Sequence, residues 1–161
     1  MGTYFRSMNT IRILTLISVA LFASCNHVYK QYDKESFPTY TWNSSDGIIF
    51  KPKIGDISKS YKLIFGIRHL YGFQFETMTV TVRTITPSGK ETEKQYEIKV
   101  KDTQGEYIAR CGGDLCDLET EIDSQVKFDE PGEYTYLVTH NLPVDRVPGV
   151  MEIGLIIDEL E

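Results

Sequence analysis

Strict alternation of apolar and polar residues, turn chemistry at regular spacing, and no convincing helical period beyond residue 25 predict an all-β chain. The expected architecture is an antiparallel β-sandwich, immunoglobulin-like or jelly-roll-like, preceded by a cleaved signal peptide. Length and composition agree: 161 residues, 41% hydrophobic and 25% charged, make one ordinary globular domain. A net charge of −6 argues against a nucleic-acid binder, which needs a basic surface to meet phosphate.

The first segment carries processing information. Arg6 and Arg12 make a positive start, and no acid precedes Asp33. Ile13 to Ala23 is an apolar run of 11 residues, long enough for a secretory h-region and too short for a bilayer span. Met8 offers a second start, because MNTIRILTLISVALFASC is a complete signal. The run LFASC is similar to a lipobox, in which small residues admit the lipoprotein signal peptidase. Cys25 is then the lipidation residue, whose thiol takes a diacylglyceryl group while its freed amine takes an N-acyl (palmitate-type) chain. Each buried CH₂ contributes about 0.8 kcal/mol, so two or three chains hold where one does not. Removing residues 1–24 leaves 15 basic and 23 acidic side chains.

The expected domains are 1–24 as lipoprotein signal peptide, 25–37 as lipidated tether and 38–161 as β-sandwich. Residues 26–37, NHVYKQYDKESF, are mostly polar and do not alternate, so they read as a leash with a reach of roughly 20 Å. Tyr29, Tyr32 and Phe37 suggest that part of it packs on the domain. Strands follow in sequence. GIIF at 47–50 is a short apolar run, and Tyr61, Leu63, Phe65 and Ile67 share one face. Met78, Val80 and Val82 oppose Thr79 and Thr81, and Tyr96, Ile98 and Val100 alternate with Glu97 and Lys99. Tyr134, Tyr136 and Val138, then Ile153, Leu155 and Ile157, repeat the pattern. Turns separate them at Pro87-Ser88-Gly89, Asp102 to Gly105, Gly112-Gly113-Asp114, Pro131-Gly132 and Asn141 to Pro143. In EPGEYTY, a Pro-Gly turn should seat Tyr134 at a sheet corner with its hydroxyl on backbone.

Candidates for chemistry are few. Cys111 and Cys116, in CGGDLC, lack the further ligands of a zinc site and the spacing of a redox CxxC. In an exported domain they are candidates for a local disulfide, with reduced and idle thiols as the alternative. Asp114, Asp117, Glu119, Glu121 and Asp123 do not have EF-hand spacing. Alternate acids at 117, 119, 121 and 123 fit the solvent face of a strand, with calcium as the other reading. His69, in IRHLYGF, is a candidate base without a paired nucleophile. No nucleophile elbow, zincin or P-loop motif is present, so the expectation is a non-enzyme with no metal and no cofactor beyond the covalent lipid. Tyr40 and Trp42 could stack on a sugar, which would suit a glycan-binding lipoprotein of a polysaccharide-uptake system. Residues 25–101 hold 12 basic and 8 acidic side chains, and residues 102–161 hold 3 and 15. Either the two halves intermix in space, or an acidic face awaits a basic partner or a cation.

The landmarks resemble the gliding-motility lipoprotein GldH family of Bacteroidetes-type bacteria. They are the lipobox cysteine with its aromatic-spaced follower, Trp42, residues 56–61, and YKLIFGIRHLYGFQFETMTV with Ile67-Arg68, Tyr71 and Phe73. The most specific is FDEPGEYTYLVTHNLPVDRVPGVMEIGLIID. CGGDLC departs from the family's cysteine-free turn by adding a bridge. The resemblance implies a non-enzymatic accessory or scaffold of gliding motility and the associated type IX secretion machinery. Its partners would be the membrane, through the lipid, and proteins of the cell envelope. In such lipoproteins surface display resembles a rule needing acids just behind the lipidated cysteine, and Asn26-His27-Val28 carry none. The expected location is the outer membrane, facing the periplasm.

Overall fold

The computed structural model describes residues 27–160, so the signal and Cys25 lie outside the described residues. Thirteen strands form, and no helix occurs among the described residues. They are β1 (His27–Asp33), β2 (Thr41–Asn43), β3 (Ile48–Phe50), β4 (Lys53–Ile54), β5 (Tyr61–Leu70), β6 (Thr77–Ile85) and β7 (Glu91–Lys99). Then come β8 (Arg110–Gly112), β9 (Leu115–Val126), β10 (Gly132–Glu133), β11 (Thr135–His140), β12 (Arg146–Pro148) and β13 (Val150–Glu159). Every pairing between them is antiparallel.

Two sheets face each other. One has the order β1-β13-β5-β9-β8 and the other β3-β11-β6-β7, with the short pairs β10-β4 and β12-β2 at the margins. The period-two segments supply the core as expected. Leu63, Phe65 and Ile67 of β5 and Ile153, Leu155 and Ile157 of β13 are buried on one side. Met78, Val80 and Val82 of β6 and Tyr136 and Val138 of β11 are buried on the other. Burying each of these side chains is worth about 1.5–3 kcal/mol against leaving it in water. The Tyr134 hydroxyl donates to the Glu130 carbonyl at 2.9 Å, which pins the Pro-Gly turn to the start of β11.

The tether expectation needs correction. Residues 27–33 are not a leash but edge strand β1, paired along β13 from His27↔Asp158 to Asp33↔Ile153. The segment lacks alternation because it lies flat on the sheet margin with most side chains half-exposed or exposed. Phe37 closes the core against Trp42, their rings meeting edge-on at 6.2 Å.

Trp42 is also a correction to the sugar-platform reading. It is fully buried, and its indole Nε1 donates to the Asp46 carbonyl at 2.9 Å. Tyr40 stands exposed at a positive φ of 52°, so the two rings form no shared surface.

Cys111 and Cys116 are joined in a disulfide across the β8–β9 hairpin, with Cα atoms 4.0 Å apart. They face each other in register, and Gly113 at φ 62° makes the turn between them. So short a loop stabilises the hairpin by about 2 kcal/mol at most.

Candidate functional site

The outer face of the five-stranded sheet carries most of the organised polar chemistry. Its rows follow from register. Tyr32 of β1, Gly154 of β13, Gly66 of β5 and Glu119 of β9 lie in one row. The Tyr32 ring lies flat over the two glycines. A Cβ at Gly66 would meet the Tyr32 hydroxyl oxygen at 2.5 Å, and one at Gly154 would meet its Cε1 at 2.5 Å. The hydroxyl reaches across both and donates to Glu119 Oε1 at 2.6 Å. Lys30 donates to the same oxygen at 2.9 Å. These two bonds, the tyrosine's first, hold the Glu119 carboxyl below its usual range. Burial, then the Glu119 carboxylate, pushes the Tyr32 phenol well up.

The next row is Glu152, Arg68, Asp117 and Arg110, with signs that alternate across four strands. Arg68 Nε and Nη2 donate to the two Asp117 oxygens at 2.6 and 3.1 Å, and Nη1 donates to Glu152 at 3.0 Å. The Asp117 bond raises the Arg68 pKa despite partial burial. Bidentate pairing of this kind fixes geometry as well as charge.

The acidic run is thus a strand, as its alternation suggested, with one correction. Asp117, Glu119 and Glu121 face outward, but the register slips between Leu63↔Asp123 and Ile64↔Glu121. This bulge turns Asp123 toward the other sheet, where Lys94 donates to it at 2.9 Å and the Tyr96 hydroxyl at 3.4 Å. Burial and Asp123 push the Tyr96 phenol up to about 12. Cations from the first half of the chain meet acids from the second half at Lys30–Glu119, Arg68–Asp117, Arg68–Glu152, Lys94–Asp123 and Lys62–Asp158. The two halves therefore intermix. Among the described residues no group of three His, Cys, Asp or Glu side chains is arranged to hold a metal ion.

His69 is fully buried between Phe73 and Tyr107, with ring centroids 5.0 and 5.2 Å away. Its Nδ1 bonds the Leu70 carbonyl at 2.9 Å, and its Nε2 has no partner among the described residues. His140, edge-on to Trp42 at 5.3 Å, likewise has an unpartnered Nε2. Both are core residues, and burial lowers the pKa of each below 6.5. The unfolded chain therefore binds protons near pH 6.5 that the native state refuses. Stability is full above that pH and falls as pH drops through it, by up to about 1.4 kcal/mol per pH unit for each histidine. Urea titrations at pH 7.5, 6.5 and 5.5 should show this fall. Replacing both residues by Phe should flatten it in that window.

Fold and face together define an antiparallel two-sheet sandwich whose organised polar chemistry is a charged sheet surface. The GldH lipoprotein family matches residues 27–157, and the chain belongs to that family. It is 22% identical over 153 residues to the gliding motility lipoprotein GldH homolog of Christiangramia forsetii (strain DSM 17595 / CGMCC 1.15422 / KT0803), covering 89% of this chain and 92% of that one. No solved structure matches it.

The sequence singled out Cys25, Cys111, Cys116, His69, Tyr40, Trp42 and the acidic run. The structure groups only the acids into an organised face. Tyr32, Arg68, Glu152 and the glycine pair were missed as a unit, because β1 read as a leash. The signal lay in Gly66 and Gly154, each inside an otherwise apolar strand, where a glycine marks close approach by another group.

Proposed function

We propose that this protein is a lipid-anchored, non-enzymatic accessory of the envelope machinery that serves gliding motility and the associated type IX secretion. Membership of a lipoprotein family and likeness to a gliding motility homolog support the class of role. The observation that carries the mechanism is the start of β1 at His27, two residues after Cys25. Two residues span at most about 7 Å, so acyl chains on Cys25 would hold the folded domain close to the bilayer. The lysine and carboxylate end around Lys62 and Asp158 then sits nearest the lipid, since Asp158 pairs with His27. The end bearing Tyr71 and Asp114 projects away by the length of β5, whose 10 residues span roughly 33 Å. Confinement to the membrane raises the domain's effective concentration near membrane-bound partners. The absence of acids at Asn26-His27-Val28 favours the periplasmic side of the outer membrane.

Crosslinking the acylated protein in intact membranes, followed by pull-down, tests this role. Motility or secretion components should be recovered, in amounts that fall when the anchor is removed. Recovery of polysaccharide-importer subunits in their place would overturn the reading.

A further inference from the structure

We infer that the free edge of β9 takes up an extended, basic segment of a partner protein as an added strand. The inference rests on the accessory role proposed above and names the surface that would perform it.

β9 is 12 residues long, yet β8 pairs only with Leu115, Cys116 and Asp117. Residues 118–126 are bonded to β5 on one side and, among the described residues, pair with no strand on the other; β7 comes beside them at Asp123, through Lys94 and Tyr96. A row of unpaired backbone donors and acceptors at a sheet edge is a template for another chain. The fold keeps this edge open. The chain entering β8 leaves the line of β9 because the Ile108 amide bonds the Val100 carbonyl at 2.9 Å, and Lys101 bridges to Tyr107. The disulfide between Cys111 and Cys116 anchors the hairpin in that short form. Beside Arg110 a depression of about 550 Å³ opens on the outer face, walled by Ile108 and Leu118 and by the ion-paired Lys30, Arg68, Asp117 and Glu119.

Charge then selects the occupant. In the row where β8 is present, its Arg110 stands across from Asp117. One row on, Glu119 has no paired strand residue on its free side among the described residues, and two rows on, neither has Glu121. Glu121 is exposed and makes no ion pair among the described residues. A strand continuing the course of β8 would meet on its outward side Glu119, one oxygen of which already takes Lys30 and the Tyr32 hydroxyl, and then Glu121, whose carboxylate has no cation among the described residues. It would meet the inward row of Leu118, Thr120 and Ile122 on the other. The fitting partner is a four- to six-residue extended run of alternating Lys or Arg and aliphatic residues. A second copy of this chain fits poorly, because edge-to-edge pairing would set these acids against each other. The other long edges are less inviting. The Lys51 amide bonds the Tyr29 hydroxyl and closes β1 toward the second sheet, and β7 carries Glu91, Glu93, Lys94, Glu97 and Lys99 in mixed sign.

The test uses the full acylated protein in detergent micelles and a fluorescent peptide of three Lys-Val repeats, with a Glu-Val repeat as control. The basic peptide should bind in a salt-sensitive manner and slow amide exchange across residues 118–126. Glu121→Lys should weaken binding about tenfold, and Glu121→Gln less, with unchanged circular dichroism. Equal binding of the acidic peptide, protection confined to β1 or β7, or no binding at millimolar peptide would each overturn the edge assignment. Exchange protection that rises with protein concentration alone would overturn it in favour of self-association. If membrane crosslinking still recovers motility or secretion components while the peptide fails, the edge is wrong and the accessory role stands. If crosslinking fails as well, the accessory role falls with it.

Discussion

Cys25→Ala, exported behind a conventional secretory signal that is fully removed, is expected to move the protein from the membrane fraction to the soluble fraction. The conventional signal matters, because an uncut lipoprotein signal would itself hold the chain through its apolar run. The size of the effect follows from what else is available to bind lipid. After residues 1–24 are removed the chain carries 15 basic and 23 acidic side chains, so an anionic leaflet repels it. No described helix is long and apolar enough to cross a membrane. Scattered exposed apolar side chains such as Val28 and Ile57 are too few to replace acyl chains that gain about 0.8 kcal/mol per buried CH₂. Near-complete release is therefore the expected result of fractionation. Retention in the membrane after a salt wash, or an unmodified Cys25 by mass spectrometry, would show that the anchor lies elsewhere.

The strands that were legible in the sequence are those buried on one face. β5, β6, β11 and β13 announce themselves because every second residue must be apolar to reach the core. β1 was not legible, since an edge strand that sends only Tyr29 toward the core and lays Tyr32 flat on the outer face has no apolar row to alternate. Trp42 was ambiguous for a related reason. A lone indole reads equally as core or as platform until its neighbours Phe37 and His140 are placed around it. The charge imbalance between the two halves of the sequence was visible, but its resolution was not. Only the order β1-β13-β5-β9-β8 brings Lys30 and Arg68 to the acids of β9 and β13.

The packing of Tyr32 on the glycine pair predicts the second large effect. Gly66 and Gly154 face each other across β5 and β13, where glycines would ordinarily weaken both strands. The Tyr32 ring fills that trench, so ring and glycines are parts of one contact. Tyr32→Ala should cost about 3 kcal/mol, because it empties a half-buried aromatic site and uncovers the glycines. Tyr32→Phe should cost only about 1 kcal/mol, the net value of the hydroxyl bond to Glu119. Gly154→Val should also cost about 3 kcal/mol, since the new Cβ would start 2.5 Å from the ring and β1 would have to lift from β13. The decisive measurement is the pair. In the double variant the ring that clashes is gone, and valine restores β propensity to the strand, so the combined loss should be well below the sum of the two. Urea unfolding of the four proteins supplies the cycle. Additive losses would mean that Tyr32 and the glycines act independently, and that β1 is held to the sheet by its backbone bonds alone.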